Sequence, residues 1–212
     1  MDPKTSKLAA EILIDLQCIN FSPKKKFKLT SGKESPVYCD CRRIISFPNQ
    51  RKKLIQLGIR IIKNKLDLSN VDNIAGGESA GIPFASFVAN QLNLPMTYIR
   101  KEKKKFGKNS QIEGIIQNHD KVLLVEDLMT DGGSKLKFIE AIDSMKASIS
   151  GIFVIFNYGI IKNFLTYKKK KINVFYLTNW KFILEAAFRK KILDAKEIKV
   201  VEDFLITIGV KN

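Results

Sequence analysis

The sequence predicts an α/β fold in which a central, mostly parallel sheet is flanked by helices. From about residue 48, short runs of β-branched and aromatic residues alternate with longer stretches of helical period. Most of the short runs are apolar throughout, which is typical of parallel strands that helices cover on both faces. A length of 212 residues with 45% hydrophobic content suits one well-packed, doubly wound domain.

The alternating part of the chain supplies five predicted strands and three long predicted helices. The strands are the apolar runs 71–75, 96–100, 121–127, 151–156 and 172–177. The helices place apolar residues at three- and four-residue steps, and they cover 48–66, 79–92 and 134–146. The first 20 residues also predict an amphipathic helix.

Three segments interrupt this alternation. Ser-Gly and Ser-Pro punctuate FKLTSGKESPVYCD (27–40), which predicts a hairpin-like layer beside the sheet. Segment 100–114 holds six basic residues, two glycines and almost no apolar side chain, so we expect a mobile loop. The run YKKKK (167–171) is interpreted as a solvated turn before the last strand. The domain is expected to divide into an N-terminal hood segment, a core and a C-terminal helical tail, at about 1–45, 46–187 and 188–212.

The charge balance favours a small anionic ligand. The chain carries 37 Lys and Arg against 21 Asp and Glu, a formal net charge of +16. Such a surface attracts phosphates, nucleic acids or anionic membranes. Only six of the 37 basic residues are Arg, however, whereas nucleic-acid surfaces favour Arg with interleaved aromatic side chains. We therefore expect no nucleic acid as a partner and attribute most of the charge to a general lysine bias.

Membrane proteins and metal or disulfide frameworks are not expected. No apolar run approaches the ~18 residues of a membrane-spanning helix, and Glu11 and Asp15 break the N-terminal apolar stretch. The three cysteines show no Cys-x-x-Cys spacing, and the chain holds a single histidine. These features favour the reducing cytoplasm, without membrane contact.

The strongest chemical signal is KVLLVEDLMTDGGSK at 121–135. It predicts a buried strand that ends in Glu126 and Asp127, where α/β proteins place their ligand crevice. The following Thr-Asp-Gly-Gly-Ser (130–134) opens a helix, and its glycines let backbone N–H groups converge on one point. Acidic side chains beside such a phosphate-binding turn predict a phosphorylated sugar as the ligand.

Two other kinds of site share an acidic strand end. Receiver domains begin with such a strand, and a Walker B strand accompanies a GxxxxGK[ST] motif that this sequence lacks. Segment 121–135 instead resembles the motif with which type I phosphoribosyltransferases bind 5-phosphoribosyl 1-diphosphate (PRPP). A purely structural strand-turn-helix is the remaining alternative.

Three further segments narrow the resemblance to orotate phosphoribosyltransferases. FKLTSGKESPVY (27–38) resembles their N-terminal substrate segment, NIAGGESAGIPFA (73–85) their first phosphate-side turn, and YIRKEKKKFGKNSQIEG (98–114) their catalytic loop. The motifs keep the family's order and span about 27–183. The resemblance implies transfer of the phosphoribosyl group from PRPP to orotate, which gives orotidine 5-monophosphate (OMP) and pyrophosphate in de novo pyrimidine (UMP) biosynthesis.

Roles follow from the resemblance position by position. Glu126 and Asp127 are expected to hold the ribose hydroxyls of PRPP and to take part in catalysis, with Lys104 of the loop as the leading catalytic residue. Mg2+ is expected to bind mainly through PRPP, with help from the same two acids. Thr130 and Tyr38 are expected to contact orotate. The residues expected to bind PRPP are Arg100, Lys101, Lys104, Glu126, Asp127, Thr130, Asp131, Gly132, Gly133 and Ser134.

The family's loop closes over the pyrophosphate of a neighbouring subunit. The resemblance therefore implies a homodimer in which loop 100–114 is shared across the interface. The implied partners are then PRPP, orotate and a second copy of the chain.

Four positions depart from the family's pattern. Phe106 stands where many members have a loop His, and Ala80 where many have a Lys in the GGESAG turn. Thr30 stands in place of a Lys before Ser-Gly, and Tyr158 lies near an Arg that binds the orotate carboxylate. Two alternatives stay open: a type I phosphoribosyltransferase for another nucleobase, and a non-catalytic member of the fold that senses PRPP and binds nucleic acid.

Overall fold

The computed structural model describes residues 2–28, 32–102, 111–161 and 163–210. Within these ranges, six α-helices accompany a seven-stranded sheet and two small antiparallel strand pairs. The helices are α1 (Pro3–Asp15), α2 (Pro48–Lys65), α3 (Gly81–Leu92), α4 (Gly133–Ser144), α5 (Trp180–Arg189) and α6 (Ala195–Thr207). The strands are β1 (Ile19–Phe21), β2 (Phe27–Lys28), β3 (Glu34–Ser35), β4 (Val37–Cys39), β5 (Asn73–Gly77), β6 (Met96–Ile99), β7 (Ile112–Glu113), β8 (Lys121–Met129), β9 (Ser148–Asn157), β10 (Phe164–Tyr167) and β11 (Lys170–Asn179).

The large sheet has the strand order β10-β11-β9-β8-β5-β6-β7. Its five central strands are parallel, while β10 and β7 pair antiparallel at the two edges. Parallel neighbours need a crossover connection, and α3 and α4 supply two of these, from β5 to β6 and from β8 to β9. The carboxyl ends of the five parallel strands therefore share one edge of the sheet, as expected for the predicted fold.

Apolar side chains alternate between the two faces of the sheet. Leu123 and Val125 of β8 belong to a core that includes α1, α2, α3 and α5. Val122 and Leu124 belong to the core on the opposite face, with α4. Successive side chains of a strand point to opposite faces, so a strand covered on both sides is apolar at every position. The central strands therefore lack the hydrophobic-polar alternation of a half-exposed sheet, as predicted.

Local sequence features set the starts of the helices. The carboxylate of Asp2 accepts hydrogen bonds from the backbone N–H groups of Lys4 and Thr5, and a proline occupies the first position of α1. At α6, Asp194 and Glu197 form a reciprocal capping box. Within the described ranges, no helix is both long and apolar enough to cross a membrane.

The N-terminal segment packs beside the sheet as two short antiparallel pairs. β1 pairs with β4, β2 pairs with β3, and a 3-10 helix (Cys41–Ser46) follows β4. We call residues 19–28 and 32–46 the N-terminal layer. It matches the hairpin-like layer predicted from 27–40. The hydroxyl of Tyr158, which directly follows β9, donates a hydrogen bond to the sulfur of Cys39 at 3.1 Å and so ties the layer to the sheet.

Several strands are longer than predicted: polar residues extend β9 and β11 beyond their apolar runs, and β8 continues past its acids through Leu128 and Met129. β8 continues to Met129, β9 begins at Ser148, and β11 covers Lys170–Asn179. These ends still pair with their neighbours in the sheet. Backbone hydrogen bonding, which hydrophobicity does not report, therefore sets the strand bounds.

The two predicted loops had different outcomes. The basic run 167–171 contains a turn between β10 and β11, as predicted. The prediction that 100–114 holds no element is wrong at its end, because Ile112–Glu113 forms β7 against β6. Residues 103–110 lie outside the described residues.

Candidate active site

Two acidic residues occupy the carboxyl end of the central strand β8. Glu126 and Asp127 are only 5% and 6% exposed. Acidic side chains are rarely buried without a partner. Since neighbouring side chains in a strand point to opposite faces, the two acids meet different surroundings. Glu126 contacts α4, whereas Asp127 lies near Arg42 of the N-terminal layer, close enough for their charges to interact.

Glu126 is held by a buried ion pair. Its Oε2 lies 2.9 Å from Nζ of Lys135 in the first turn of α4, and both side chains are 7% exposed. Its Oε1 accepts a hydrogen bond from the backbone N–H of Gly77 at 3.0 Å. Burial raises the pKa of Glu126 to about 7, and the charge of Lys135 acts against that rise. An ionised Glu126 therefore depends on Lys135.

Two glycines make room for the Glu126 carboxylate. A β-carbon on Gly81, the first residue of α3, would lie 2.0 Å from Oε1 of Glu126. A β-carbon on Gly77 would lie 2.5 Å from the same atom. Both distances are far inside van der Waals contact, and a close-packed site has no free volume to relieve them. The GGESAG segment therefore packs directly against the acid of the neighbouring strand.

Asp127 is influenced by cations from two elements. Its Oδ1 accepts a hydrogen bond from the backbone N–H of Leu128 at 2.8 Å. Burial raises the pKa of Asp127, while the charges of Lys135 and Arg42 lower it. Lys135 belongs to α4, and Arg42 belongs to the 3-10 helix of the N-terminal layer. These charges oppose the effect of burial, which still leaves the pKa of Asp127 above its ordinary value.

The turn between β8 and α4 has a left-handed glycine and leads into the first turn of the helix. Gly132 has a φ of +83°, in the left-handed region that favours glycine. Asp131 stabilises the turn, because its Oδ1 accepts hydrogen bonds from the N–H of Gly133 at 3.1 Å and from the hydroxyl of Thr130 at 3.4 Å. The N–H of Gly133 is thus paired with Asp131, and the exposed Ser134 follows it in the first turn of α4, at the positive end of the helix dipole. This end of the site suits a phosphate group.

The stem of the basic loop lies at the same edge of the sheet. Arg100 directly follows β6, and its Nη1 lies 3.5 Å from Oε1 of Glu113 in β7. The backbone N–H of Lys101 donates to Oε2 of Glu78, which directly follows β5, at 2.9 Å. Since β5 lies between β6 and β8, the stem is one strand removed from the acids. Lys104, the predicted catalytic residue, lies outside the described residues, and so do Thr30 and Phe106.

Two tyrosines mark the side of the site formed by the N-terminal layer. Tyr38 lies in β4, is 41% exposed, and has its ring centroid 6.0 Å from that of Phe27. Tyr158 is instead packed edge-on against Trp180 and donates its hydroxyl proton to Cys39. Burial raises the pKa of Tyr158, so the phenol stays neutral. Tyr38 is therefore accessible to a ligand, while the hydroxyl of Tyr158 is committed to the fold.

The donor set fits a divalent cation that the substrate carries. In the part of the chain that the structure describes, no three His, Cys, Asp or Glu side chains group as metal ligands. The oxygens of Glu126 already face Lys135 and Gly77. Asp127 is therefore the better placed of the two acids to approach a cation. Mg2+ commonly binds one or two carboxylates together with substrate phosphates and water, so these residues fit Mg2+ bound through PRPP.

Comparison with known proteins agrees with this geometry. Residues 49–185 match the family model of the phosphoribosyl transferase domain. The orotate phosphoribosyltransferase of Cereibacter sphaeroides is 42% identical over 201 residues, which cover 94% of this chain and 87% of that protein. This chain belongs to the orotate phosphoribosyltransferase family. It is accordingly a glycosyltransferase, and the resemblance predicted from its motifs is confirmed.

Solved structures show the same fold. The crystal structure of orotate phosphoribosyltransferase from Aeropyrum pernix matches with a TM-score of 0.68 and 26% identity, covering 83% of this chain and 96% of that chain. A Leishmania donovani UMP synthase matches with a TM-score of 0.75 and 24% identity, covering 95% of this chain and 42% of that one. The predicted fold class of this chain is therefore confirmed.

Sequence reasoning missed the buried cation of the site. Lys135 falls within the motif, yet no role was predicted for it. A signal was present: Lys135 lies three and four residues before Phe138 and Ile139, which face the core, so the helical period places a lysine on the buried face of α4. A charge at such a position needs a buried partner, and a preceding strand that ends in acids supplies one. The electrostatic influence of Arg42 on Asp127 has no comparable signal, since it depends on how the N-terminal layer packs.

Proposed function

We propose that the protein transfers the phosphoribosyl group of PRPP to N1 of orotate, which forms OMP and pyrophosphate on the route to UMP. The observation that carries the proposal is the adjacency of the buried Glu126–Asp127 pair and the turn 130–134, which opens α4 and exposes Asp131, Gly133 and Ser134. Carboxylates accept hydrogen bonds from sugar hydroxyls, and N–H groups at a helix N-terminus bind phosphate. A ribose 5-phosphate matches both features at once.

The phosphate end of PRPP is assigned to the first turn of α4. Thr130, Asp131, Gly132, Gly133 and Ser134 surround this helix N-terminus, and the left-handed backbone at Gly132 turns the chain into it. The positive helix end favours a dianion, and the hydroxyls of Thr130 and Ser134 add donors. The 5-phosphate then anchors the sugar with C1 directed away from α4.

The ribose hydroxyls are assigned to Glu126 and Asp127. Both accept these hydrogen bonds most strongly as carboxylates, and their burial opposes ionisation. Lys135 supplies the compensating charge for Glu126 at 2.9 Å. We assign Lys135 as a positioning residue, because it fixes the charge and place of Glu126 without contacting the reacting atoms.

The pyrophosphate is assigned to the basic loop. Arg100 and Lys101 stand at its stem, and Lys104 remains our leading catalytic residue. When bound, Mg2+ neutralises part of the charge on the leaving pyrophosphate. The loop cations stabilise the rest once the loop excludes water from the site. We also propose that loop 100–114 serves the neighbouring subunit of a homodimer and that the enzyme works in the cytoplasm.

The reaction needs no nucleophile from the protein. The bond between ribose C1 and a pyrophosphate oxygen breaks, and orotate N1 loses its proton as it bonds to C1 with inversion. The transition state resembles the oxocarbenium ion of glycoside chemistry. The protein contributes by aligning N1 with C1 and by stabilising negative charge on the leaving group. Thr130 and Tyr38 are proposed to hold the pyrimidine.

Consumption of orotate tests the proposal directly. Purified protein is mixed with PRPP and Mg2+, and the ultraviolet absorbance of orotate is followed beside wells that hold adenine, hypoxanthine, guanine or uracil. We expect orotate to be consumed only when PRPP and Mg2+ are both present. Reaction of another base instead would contradict the orotate assignment, and an unchanged kcat in Lys104→Ala would remove the role given to Lys104.

A further inference from the structure

Orotate is an anion, and its binding poses an electrostatic problem at this site. The carboxylate on C6 of the pyrimidine is ionised at neutral pH and lies next to N1, the atom that reacts. The proposed function, on which this inference rests, brings that charge toward the Glu126–Asp127 pair. Like charges in a cleft of low dielectric repel one another strongly. A fixed cation near the base is therefore required.

Two cations of the described residues act on Asp127, and they differ in availability. Lys135 is 6% exposed and its ammonium group already pairs with Glu126. The side chain of Arg42 is 58% exposed and forms an ion pair with Asp40. Lys135 is therefore almost inaccessible from solvent, and its charge is already paired. Arg42 is the cation of the pair that a ligand can reach.

The guanidinium of Arg42 is hydrogen-bonded to Asp40 through Nε, while Nη1 and Nη2 have no such partner among the described residues. Oδ1 of Asp40 accepts hydrogen bonds from Nε of Arg42 at 2.6 Å and from its backbone N–H at 3.3 Å. Among the residues that the structure describes, none accepts a hydrogen bond from Nη1 or Nη2 of Arg42. These two nitrogens carry parallel N–H donors, the geometry that binds a carboxylate with two hydrogen bonds. Asp40 thus restricts the orientation of the guanidinium while leaving its donor end free.

The fold places Arg42 beside the proposed base contacts. It lies four residues after Tyr38 of β4 and three after Cys39, the residue that accepts the hydrogen bond from Tyr158. Tyr158 stands near the position of the family's carboxylate-binding Arg, and its buried phenol offers no charge. The Cys39–Tyr158 contact brings the segment that carries Arg42 to the end of β9. Arg42 of the N-terminal layer therefore lies near the end of β9, where Tyr158 stands in place of a cationic residue.

We propose that Arg42 is a specificity-determining residue, whose guanidinium binds the carboxylate of orotate through Nη1 and Nη2. Asp40 acts as its positioning residue. The carboxylate distinguishes orotate from uracil, so Arg42 is the residue that makes this site select the carboxylated pyrimidine. Its neighbour Arg43 does not share the role, because its guanidinium binds the carbonyl of Leu16 at 2.9 Å.

The test compares two nucleotides that differ only in the carboxylate. Inhibition constants of OMP and UMP are measured for the wild type, Arg42→Gln, Arg42→Lys and the matched control Arg43→Gln. We expect wild type and Arg43→Gln to bind OMP about 5-fold more tightly than UMP, since an exposed ion pair contributes on this scale. In Arg42→Gln this ratio should fall close to one with UMP affinity unchanged, and Arg42→Lys should restore part of it.

The outcomes separate this inference from the function on which it rests. If the wild type shows no preference for OMP over UMP, the orotate function fails and the Arg42 assignment fails with it. If the wild type prefers OMP and Arg42→Gln keeps that preference, only the Arg42 assignment is overturned. Equal loss of OMP and UMP affinity in Arg42→Gln would also overturn it, because a purely structural role weakens both nucleotides alike.

Discussion

The two ends of the proposed site are built in different ways. The end assigned to PRPP is formed by the central strand β8 and the start of α4, and its acids and Lys135 are almost completely buried. The end assigned to orotate is formed by strands of two or three residues in the N-terminal layer. There, Tyr38 is 41% exposed and the side chain of Arg42 is 58% exposed.

Because of this difference, substitutions at the buried end should affect folding stability, whereas substitutions at the exposed end should affect ligand binding. A buried ion pair is a coupled unit, because removing one partner leaves an uncompensated charge in a medium of low dielectric. An exposed side chain can be truncated while water replaces it. Changes at the PRPP end should therefore alter stability and activity together, while changes at the orotate end should alter selectivity alone.

Replacement of Lys135 gives the largest expected effect. Lys135→Met keeps all but the last atom of the side-chain length and removes the charge 2.9 Å from Glu126. We expect a loss of about 3 kcal/mol in the free energy of unfolding, the scale measured for broken buried ion pairs. We also expect kcat/KM for PRPP to fall by at least about 100-fold, because Glu126 no longer ionises in place. Chemical denaturation and steady-state kinetics measure the two losses.

Lys137→Met is the matched control for that variant. Lys137 lies two residues further along α4 and is exposed. It should leave both quantities nearly unchanged. A second readout is the pH at which PRPP affinity is half maximal, which should rise in Lys135→Met, since the neighbouring cation no longer lowers the pKa of Glu126. An unshifted profile with wild-type kcat/KM would remove the positioning role of Lys135.

A methyl group at Gly81 should disturb the same acid without changing any charge. The β-carbon of Gly81→Ala would lie 2.0 Å from Oε1 of Glu126, so the carboxylate must move. A displacement near 1 Å at a substrate-positioning group costs up to about 100-fold in rate. We expect KM for PRPP to rise by about 10- to 100-fold, with KM for orotate little changed. Wild-type kinetics in a folded Gly81→Ala protein would show that the Glu126–Gly81 packing is irrelevant to PRPP binding.

Mixed dimers test whether the basic loop serves the neighbouring subunit. Lys104→Ala and Asp127→Asn are each expected to be nearly inactive. In an equal mixture that exchanges subunits, half of the dimers are hybrids with one intact site, so about a quarter of the wild-type activity should return. If the loop acts within its own subunit, every site keeps one defect and the mixture stays as inactive as its components.

The smallest expected effect is a pH dependence of stability that originates at Glu126. Its pKa in the folded protein is raised to about 7 by burial, above the ordinary value of 4.5. Between these values the folded state binds more protons than the unfolded state, so the free energy of unfolding falls as pH rises. Denaturation of wild type and Glu126→Gln should therefore differ progressively from pH 4.5 to pH 7. A constant difference across this range would contradict the raised pKa.

The PRPP end could be predicted largely from sequence, because one continuous segment encodes it. The strand, the acids Glu126 and Asp127, the glycine turn and the helix all fall within 121–135. Their order along the chain determines their arrangement in space, since the carboxyl end of a parallel strand lies next to the start of the helix that follows it. The apolar runs likewise predicted the sheet, apart from strand ends that backbone hydrogen bonds hold in the ladder.

The orotate end could not be predicted in the same way. Arg42 reaches the surroundings of Asp127 across 85 positions of sequence, through packing between the N-terminal layer and the sheet. The hydrogen bond between Tyr158 and Cys39 spans an even larger separation of 119 positions. No local periodicity reports contacts of this kind. The departure at Tyr158 was visible in the sequence, but Arg42, the residue that we propose compensates for it, emerges as a candidate only from the fold.

One crossed kinetic measurement tests most directly whether the site consists of two separately built ends. KM for PRPP and KM for orotate are measured, each with the other substrate saturating, in Glu126→Gln and Arg42→Gln. We predict that Glu126→Gln raises KM for PRPP alone and that Arg42→Gln raises KM for orotate alone. If each variant raises both constants by similar factors, the ends are not independent and the assignment of Arg42 to the base is contradicted.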